Sequence, residues 1–161
     1  DNGPVREVGS SGGLRGAKAD LFEGGHRVPA IARWPGRIAQ GVQTAETVMA
    51  MDWLPTFCAM AGMRDAGPEP LDGIDVSGVF LEGAALPERT TCFRQGAKSA
   101  IRRSRWKLVQ QDDETMLFDL QQDRNETRDL ATEHPERVAG LREAFSAWAC
   151  DVDASQTGRG A

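Results

Sequence analysis

Histidine and cysteine are scarce. His26 and His134 are the only histidines and lie far apart, while Cys58, Cys92 and Cys150 are odd in number and widely separated. Neither residue type recurs at the spacing of a zinc site, a metalloprotease helix or a disulfide framework. A histidine-rich metal centre is therefore excluded, and the cysteines read as free or buried thiols. Surplus positive charge is missing too: a net charge of −5 argues against a general affinity for nucleic acid, so any bound anion must be met locally. No apolar run reaches the length of a membrane span, and none follows a charged segment as in a signal peptide. A P-loop is also absent, because Gly16-Ala17-Lys18-Ala19 lacks both the adjacent Gly-Lys and the following Ser or Thr that grip phosphate and magnesium.

What is present is the make-up of a folded chain, 40% hydrophobic and 27% charged over 161 residues, enough for one domain with a real core. Residues 1–26 are rich in glycine, which suits backbone that turns sharply or approaches a ligand closely. Val28 to Trp34 is a short apolar run closed by Pro35-Gly36 and reads as a buried strand followed by a turn, with Pro29 at its beginning or on an edge. Asp52 is placed to cap a helix in which Leu54, Phe57, Cys58 and Ala61 share a face and Gly62 is the stop. From Arg64 to Arg94 proline and glycine punctuate a long connection. Ala100–Gln110 and Met116–Leu120 predict two or three antiparallel strands, and Pro135 opens a helix with Val138, Leu141, Phe145 and Trp148 on one face. The small polar residues after Cys150 read as a mobile tail.

Candidate chemistry gathers near the start. Asp1 and Asn2 offer a carboxylate and an amide oxygen side by side, the hard donors that calcium or magnesium prefers, although Asn2-Gly3 is equally a turn signal. Lys18 stands among dense glycines, either as a solvated surface lysine or as a local cation for an anion. His26 shares that loop and is a candidate to line a pocket, whereas His134, ahead of Pro135, reads as a cap or surface residue. Lys98, Arg102, Arg103, Arg105 and Lys107 form a basic cluster around Trp106, expected to be the solvated face of a hairpin packed through Ile101, Trp106 and Leu108. Asn125-Glu126-Thr127 fits a glycosylation sequon, relevant only in a eukaryotic secretory pathway.

Taken in order, these motifs resemble the C-terminal part of the sulfatases, members of the alkaline-phosphatase-like superfamily. The resemblance runs from Asp1 to about Trp148 through Asp1-Asn2-Gly3-Pro4, Leu14-Arg15-Gly16 with Lys18, Phe22-Glu23-Gly24-Gly25-His26-Arg27-Val28-Pro29 and Trp34-Pro35-Gly36-Arg37-Ile38. It continues through Asp52-Trp53-Leu54-Pro55-Thr56, Ala61-Gly62, Asp72-Gly73, Trp106-Lys107-Leu108 and Leu117-Phe118-Asp119-Leu120. The co-linear order of these motifs carries the likeness.

The resemblance implies an α/β fold: residues 1–62 would close the large catalytic domain, 63–95 connect, 96–150 form a small antiparallel sheet with a C-terminal helix, and 151–161 be the tail. It implies that Asp1 and Asn2 complete a calcium site, with magnesium the weaker alternative, that Lys18 contacts the substrate sulfate, and that Glu23 and Arg27 are structural. The family's nucleophile is a formylglycine made from the Cys or Ser that opens a Cys/Ser-x-Pro-x-Arg motif, and no Cys or Ser here has Pro two places later. The chain thus resembles roughly the last third of an enzyme, expected to be inactive alone, with the formylglycine in a missing N-terminal part. The implied substrate is an aryl or carbohydrate sulfate ester and the implied location periplasmic or secreted. A phosphatase or phosphonate hydrolase of the same superfamily, and a non-catalytic binding or structural module, are the alternatives.

Overall fold

The computed structural model describes residues 2–63 and 71–157, and the chain forms two compact units: one joins the residues up to Val28 with those from Glu88 onward, and the other is Pro29–Pro87. The first unit is built on four antiparallel strands in sequential order, β1 (Thr90–Gln95), β2 (Lys98–Arg103), β3 (Trp106–Gln111) and β4 (Glu114–Asp119). Each hairpin has a two-residue loop, as shown by the closing pairs Gln95↔Lys98, Arg103↔Trp106 and Gln111↔Glu114. In the last loop Asp112 and Asp113 both have positive φ, 51° and 66°, the backbone that a tight hairpin of matching twist requires and that Asp tolerates. The sheet thus has four strands where the sequence pattern predicts two or three, and β1 lies in the stretch read as a connection.

Strand alternation gives the sheet two working faces. Ile101, Leu108 and Leu117 point one way and form a cluster with Leu141 of helix α4 (Pro135–Thr157), and Trp106, Val138 and Phe145 pack against it. This is the helix that Pro135 and the spacing of Val138, Leu141 and Phe145 predict. It continues past Cys150, where the sequence reading begins the tail; residues 158–161 lie outside the described residues. On the opposite face Ala100, Val109, Met116 and Phe118 pack against Leu21 and Phe22. Phe22 leads directly into a single helical turn, α1 (Glu23–His26), so the glycine-rich loop is the second layer over the sheet. Within that layer α1 packs tightly on the preceding segment: a Cβ on Gly24 or Gly25 would collide with carbonyl oxygens of Arg15, Gly16 and Asp20. The Gly-Gly pair is required by this approach.

The second unit holds a 3-10 turn at Ala50–Asp52, helix α2 (Trp53–Met60) and helix α3 (Ser77–Glu82). The helix predicted after Asp52 forms and ends ahead of Gly62 at φ 77°, but the Asp52 side chain does not cap it. The Asp52 carboxylate is fully buried and accepts N–H bonds from Met49 at 2.7 Å and Ile74 at 3.1 Å. Thr56 Oγ1 accepts the Val76 N–H at 3.0 Å, and Trp53 stacks between Phe57 and Phe80 with ring centroids 5.5 and 5.6 Å apart. On the apolar side of α2, Leu54 and Phe57 stay exposed.

The strand expected from Val28 to Trp34 does not form. The segment joins no ladder among the described residues, and Ile31 is 95% exposed. A buried strand needs a ladder partner for its backbone hydrogen bonds, and among the described residues this segment has none. The turn that closes it is present, with Trp34 O accepting the N–H groups of Arg37 and Ile38.

Deleting the side chain of Leu108, which is wholly inaccessible to solvent, should cost about 2–5 kcal/mol of unfolding free energy in Leu108→Ala. Ile31→Ala should cost less than about 0.5 kcal/mol. Urea titrations followed by circular dichroism compare the two, and equal losses would contradict this assignment of the core.

Candidate functional site

The loop that carries Lys18 is pinned at both ends to the sheet unit. On one side Arg15 Nη1 donates to the carbonyl of Glu126 at 2.9 Å, and its guanidinium lies 3.8 Å from the centre of the Phe22 ring. On the other side Phe22 meets Phe118 edge to face, with centroids 6.2 Å apart. Between these pins the backbone bends twice through positive φ, at Gly16 (85°) and Ala19 (74°). Asp20 closes the bend: its carboxylate accepts the Ala17 N–H at 2.9 Å and pairs with Arg6. Lys18 therefore stands at the crest of a constrained loop with its side chain exposed.

Two backbone hydrogen bonds bring the first residues to the same place. Lys18 N donates to Pro4 O at 2.9 Å, and Gly3 N donates to Gly25 O at 2.7 Å. Asn2 is consequently next to a residue bonded into α1 and two residues from one bonded to Lys18. Asp1 lies outside the described residues. Among the described residues no three His, Cys, Asp or Glu side chains gather as a metal site.

His26 turns toward the sheet. Its ring stacks on Phe93 with centroids 4.3 Å apart and planes 4° from parallel, and its Nε2 is 3.2 Å from both Glu23 Oε1 and Lys107 Nζ. An ammonium can only donate, so Nε2 either accepts from Lys107 or donates to Glu23. In both cases the buried Nδ1 has no hydrogen-bond partner among the described residues. Burial lowers the imidazole pKa from its ordinary 6.5; Glu23 counteracts this in part, and the Lys107 charge adds to it. The ring is neutral at pH 7.

Beneath the loop lies a buried ionic cluster. Lys107 Nζ is 2.9 Å from Glu23 Oε1 and 2.8 Å from Glu126 Oε1, and all three side chains are at most 2% exposed. Arg27 Nη1 donates to the other Glu23 oxygen at 3.1 Å, and Glu126 Oε2 accepts the backbone N–H of Glu23 at 2.6 Å. Burial alone would push the Glu23 carboxyl up, but the His26 hydrogen bond and the charge and hydrogen bond of Lys107 outweigh it and hold Glu23 well below its ordinary value. For Glu126 burial prevails over Lys107 and the Glu23 N–H, and its pKa is raised.

Lys107 thus departs from the solvated face expected for the basic cluster. In β3 it alternates with Trp106 and Leu108, which face α4, so its side chain must enter the layer between sheet and loop, beside Val109's side of the strand. Glu126, read only as the middle of a sequon, occupies left-handed backbone at φ 56° with its carboxylate buried. Glu23 and Arg27, expected to be structural, both lie in this cluster. Strand alternation was the available signal for Lys107, since the register that buries Val109 also buries Lys107. No local pattern marks Glu126, whose partner is distant in sequence.

The family model described as "N-sulphoglucosamine sulphohydrolase, C-terminal" matches residues 17–145. Arylsulfatase A of Bos taurus is 42% identical over 106 residues, 63% of this chain and 20% of that protein. N-acetylgalactosamine-6-sulfatase of Rattus norvegicus is 32% identical over 112 residues, 66% of this chain and 21% of that protein. The chain therefore spans about a fifth of the length of these curated relatives. Among solved structures, Ps i-CgsB superposes with a TM-score of 0.80 at 24% identity, over 91% of this chain and 34% of that one. A structure in complex with its substrate D-glucosamine-2-N,6-O-disulfate superposes at 0.58 and 21% identity, over 80% of this chain and 29% of that one. At these identities the structural likeness speaks for the fold.

The neutral state of His26 has a consequence for stability. Its folded pKa lies below the unfolded one, so as pH falls through 6.5 the unfolded chain takes up a proton that the folded chain does not, and stability is lost. One such group contributes a slope of up to about 1.4 kcal/mol per pH unit. Glu126, with its raised pKa, acts in the opposite sense above its ordinary 4.5. Because that contribution is common to wild type and His26→Gln, the difference between the two isolates His26. Unfolding titrations from pH 7.5 to 5 should show the variant losing less stability than wild type, and parallel curves would contradict a neutral, buried His26.

Proposed function

The chain belongs to the sulfatase family, whose C-terminal region it matches, and from this we propose that the whole protein is a sulfuric ester hydrolase to which this part contributes charge stabilisation. Two backbone hydrogen bonds, Lys18 N to Pro4 O and Gly3 N to Gly25 O, are the observation that carries the reading. They tie an exposed lysine and the Gly3-Pro4 backbone that follows Asn2 into one pinned loop, which supports a role in handling a sulfate group.

Lys18 is the substrate-binding and catalytic cation. Its ammonium, on a loop fixed at Arg15 and Phe22, is held ready for an oxygen of the sulfate as negative charge builds there. Asp1 and Asn2 fit calcium chemically, being oxygen donors of the kind it takes, but two donors fill only part of a shell of about six to eight oxygens. The rest of the shell belongs to the part of the enzyme beyond this chain. Calcium bound there would polarise the sulfate and offset its charge. His26 borders the same loop, and its neutral ring keeps the Glu23 side ordered beneath it. The substrate class is an aryl or carbohydrate sulfate.

The nucleophile belongs elsewhere in the enzyme, since a formylglycine needs a Cys or Ser followed two places later by Pro and this chain has neither. The isolated chain should therefore show no turnover of an aryl sulfate. In the whole enzyme Lys18→Ala should reduce turnover on the order of a hundredfold or more. Its melting temperature should be unchanged, because the Lys18 side chain is exposed. A loss confined to thermal stability would reduce Lys18 to scaffold, and turnover by the isolated chain would refute the division of labour.

A further inference from the structure

We propose that Lys107 is a positioning residue for Lys18, acting through Glu23 and Glu126 to fix the loop on which Lys18 stands. What Lys18 does in catalysis rests on the sulfatase reading; the clamp itself does not.

The argument starts in the sheet. Arg102 and Lys107 are directly opposed across β2 and β3, two cations on the face that receives the loop. Like charges in that position repel and call for an anion between the layers. Glu23 answers from the loop side, held 2.9 Å from Lys107 Nζ, and Glu126 answers from the turn after β4 at 2.8 Å. Lys107 thereby joins two segments that have no ladder in common.

The joined segments are those that hold Lys18. Glu126 uses its second carboxylate oxygen to accept the Glu23 N–H, and its backbone carbonyl accepts from Arg15. One residue thus grips the loop both before and after Lys18. Its left-handed backbone at φ 56° is a conformation that a non-glycine residue keeps only where its surroundings hold it. Lys107 shares that hold with the Arg15 and Glu23 hydrogen bonds, as the cation 2.8 Å from a buried Glu126 Oε1 that accepts no hydrogen bond among the described residues. An apolar contact could bury the same area, but it would not set the position of the loop along the sheet as directed ionic contacts do.

The test uses the whole enzyme, with Lys107→Met, Lys18→Ala and the double variant, read by hydrogen exchange and by turnover of an aryl sulfate. Lys107→Met should speed exchange in peptides covering residues 14–27 by roughly tenfold or more, with peptides from β1 and α4 changing much less. It should lower kcat by about tenfold or more in the wild-type background and by less than about twofold when Lys18 is already Ala, because a positioning residue has nothing left to position. Unchanged exchange in 14–27, or the same fold-loss of kcat in both backgrounds, would overturn the proposal. If Lys107→Met fails to fold, Glu126→Gln, of nearly equal volume, carries the same comparisons. A wild-type enzyme that leaves sulfate esters intact would sink the sulfatase reading, while the exchange data would still decide the clamp.

Discussion

The ammonium group of Lys107 lies out of reach of water between two carboxylates, and most of the sheet unit is arranged around that fact. Three charges without solvent are expensive to maintain. They persist because each is matched: Lys107 by Glu23 and Glu126, Glu23 also by Arg27 and His26, Glu126 also by the Glu23 N–H. Removing one member of such a group commonly costs about 3–5 kcal/mol, since it strands the others without solvent. A buried ion pair is a poor way to add stability but a good way to specify an arrangement, and the arrangement here is of a loop on a sheet.

The sheet can do this because its two faces are assigned to different tasks. Toward α4 its centre is apolar, with Ile101, Leu108 and Leu117 against Leu141, and provides the hydrophobic burial that holds the unit together, while Arg94 with Asp153 and Arg142 with Thr115 add polar bonds between sheet and helix. Toward the loop the core is mixed, with Val109 and Phe118 packing against Phe22 while Lys107 and Arg102 bring charge to the same surface. Burial lowers the Arg102 pKa, Glu23 raises it and Arg27 lowers it, which places Arg102 electrostatically within the same cluster. The glycines at 24 and 25 let α1 pack against the backbone of residues 15–20 within the loop that carries Glu23.

On the proposed reading, the loop separates the cation that meets sulfate from its support. Lys18 remains in solvent, free to meet an anion, while its backbone is tied to Pro4 and its loop to Glu126 and Phe118. Preorganised charge is effective in catalysis because no reorganisation is needed when charge develops on the substrate. His26, which its place in the loop offers as a pocket residue, stacks on Phe93 and contacts the ionic cluster.

Much of this was legible in the order of residues. The glycine pattern around Lys18, the Pro35-Gly36 turn, the helix after Asp52 and the helix after Pro135 follow from local rules of turn and cap chemistry, which act over a few residues. The family likeness follows from motif order. Two features were beyond those rules. Val28–Trp34 has the composition of a buried strand, yet Ile31 stands in solvent, because a strand is made by its neighbours. Lys107 and Glu126 have the composition of a surface, yet both are buried, because Glu23 meets them from the far end of the chain. Sequence alone determined where the chain turns, where it coils and which loop carries the lysine. Only the tertiary structure decided which charges leave water, since that depends on which distant segment arrives to replace it.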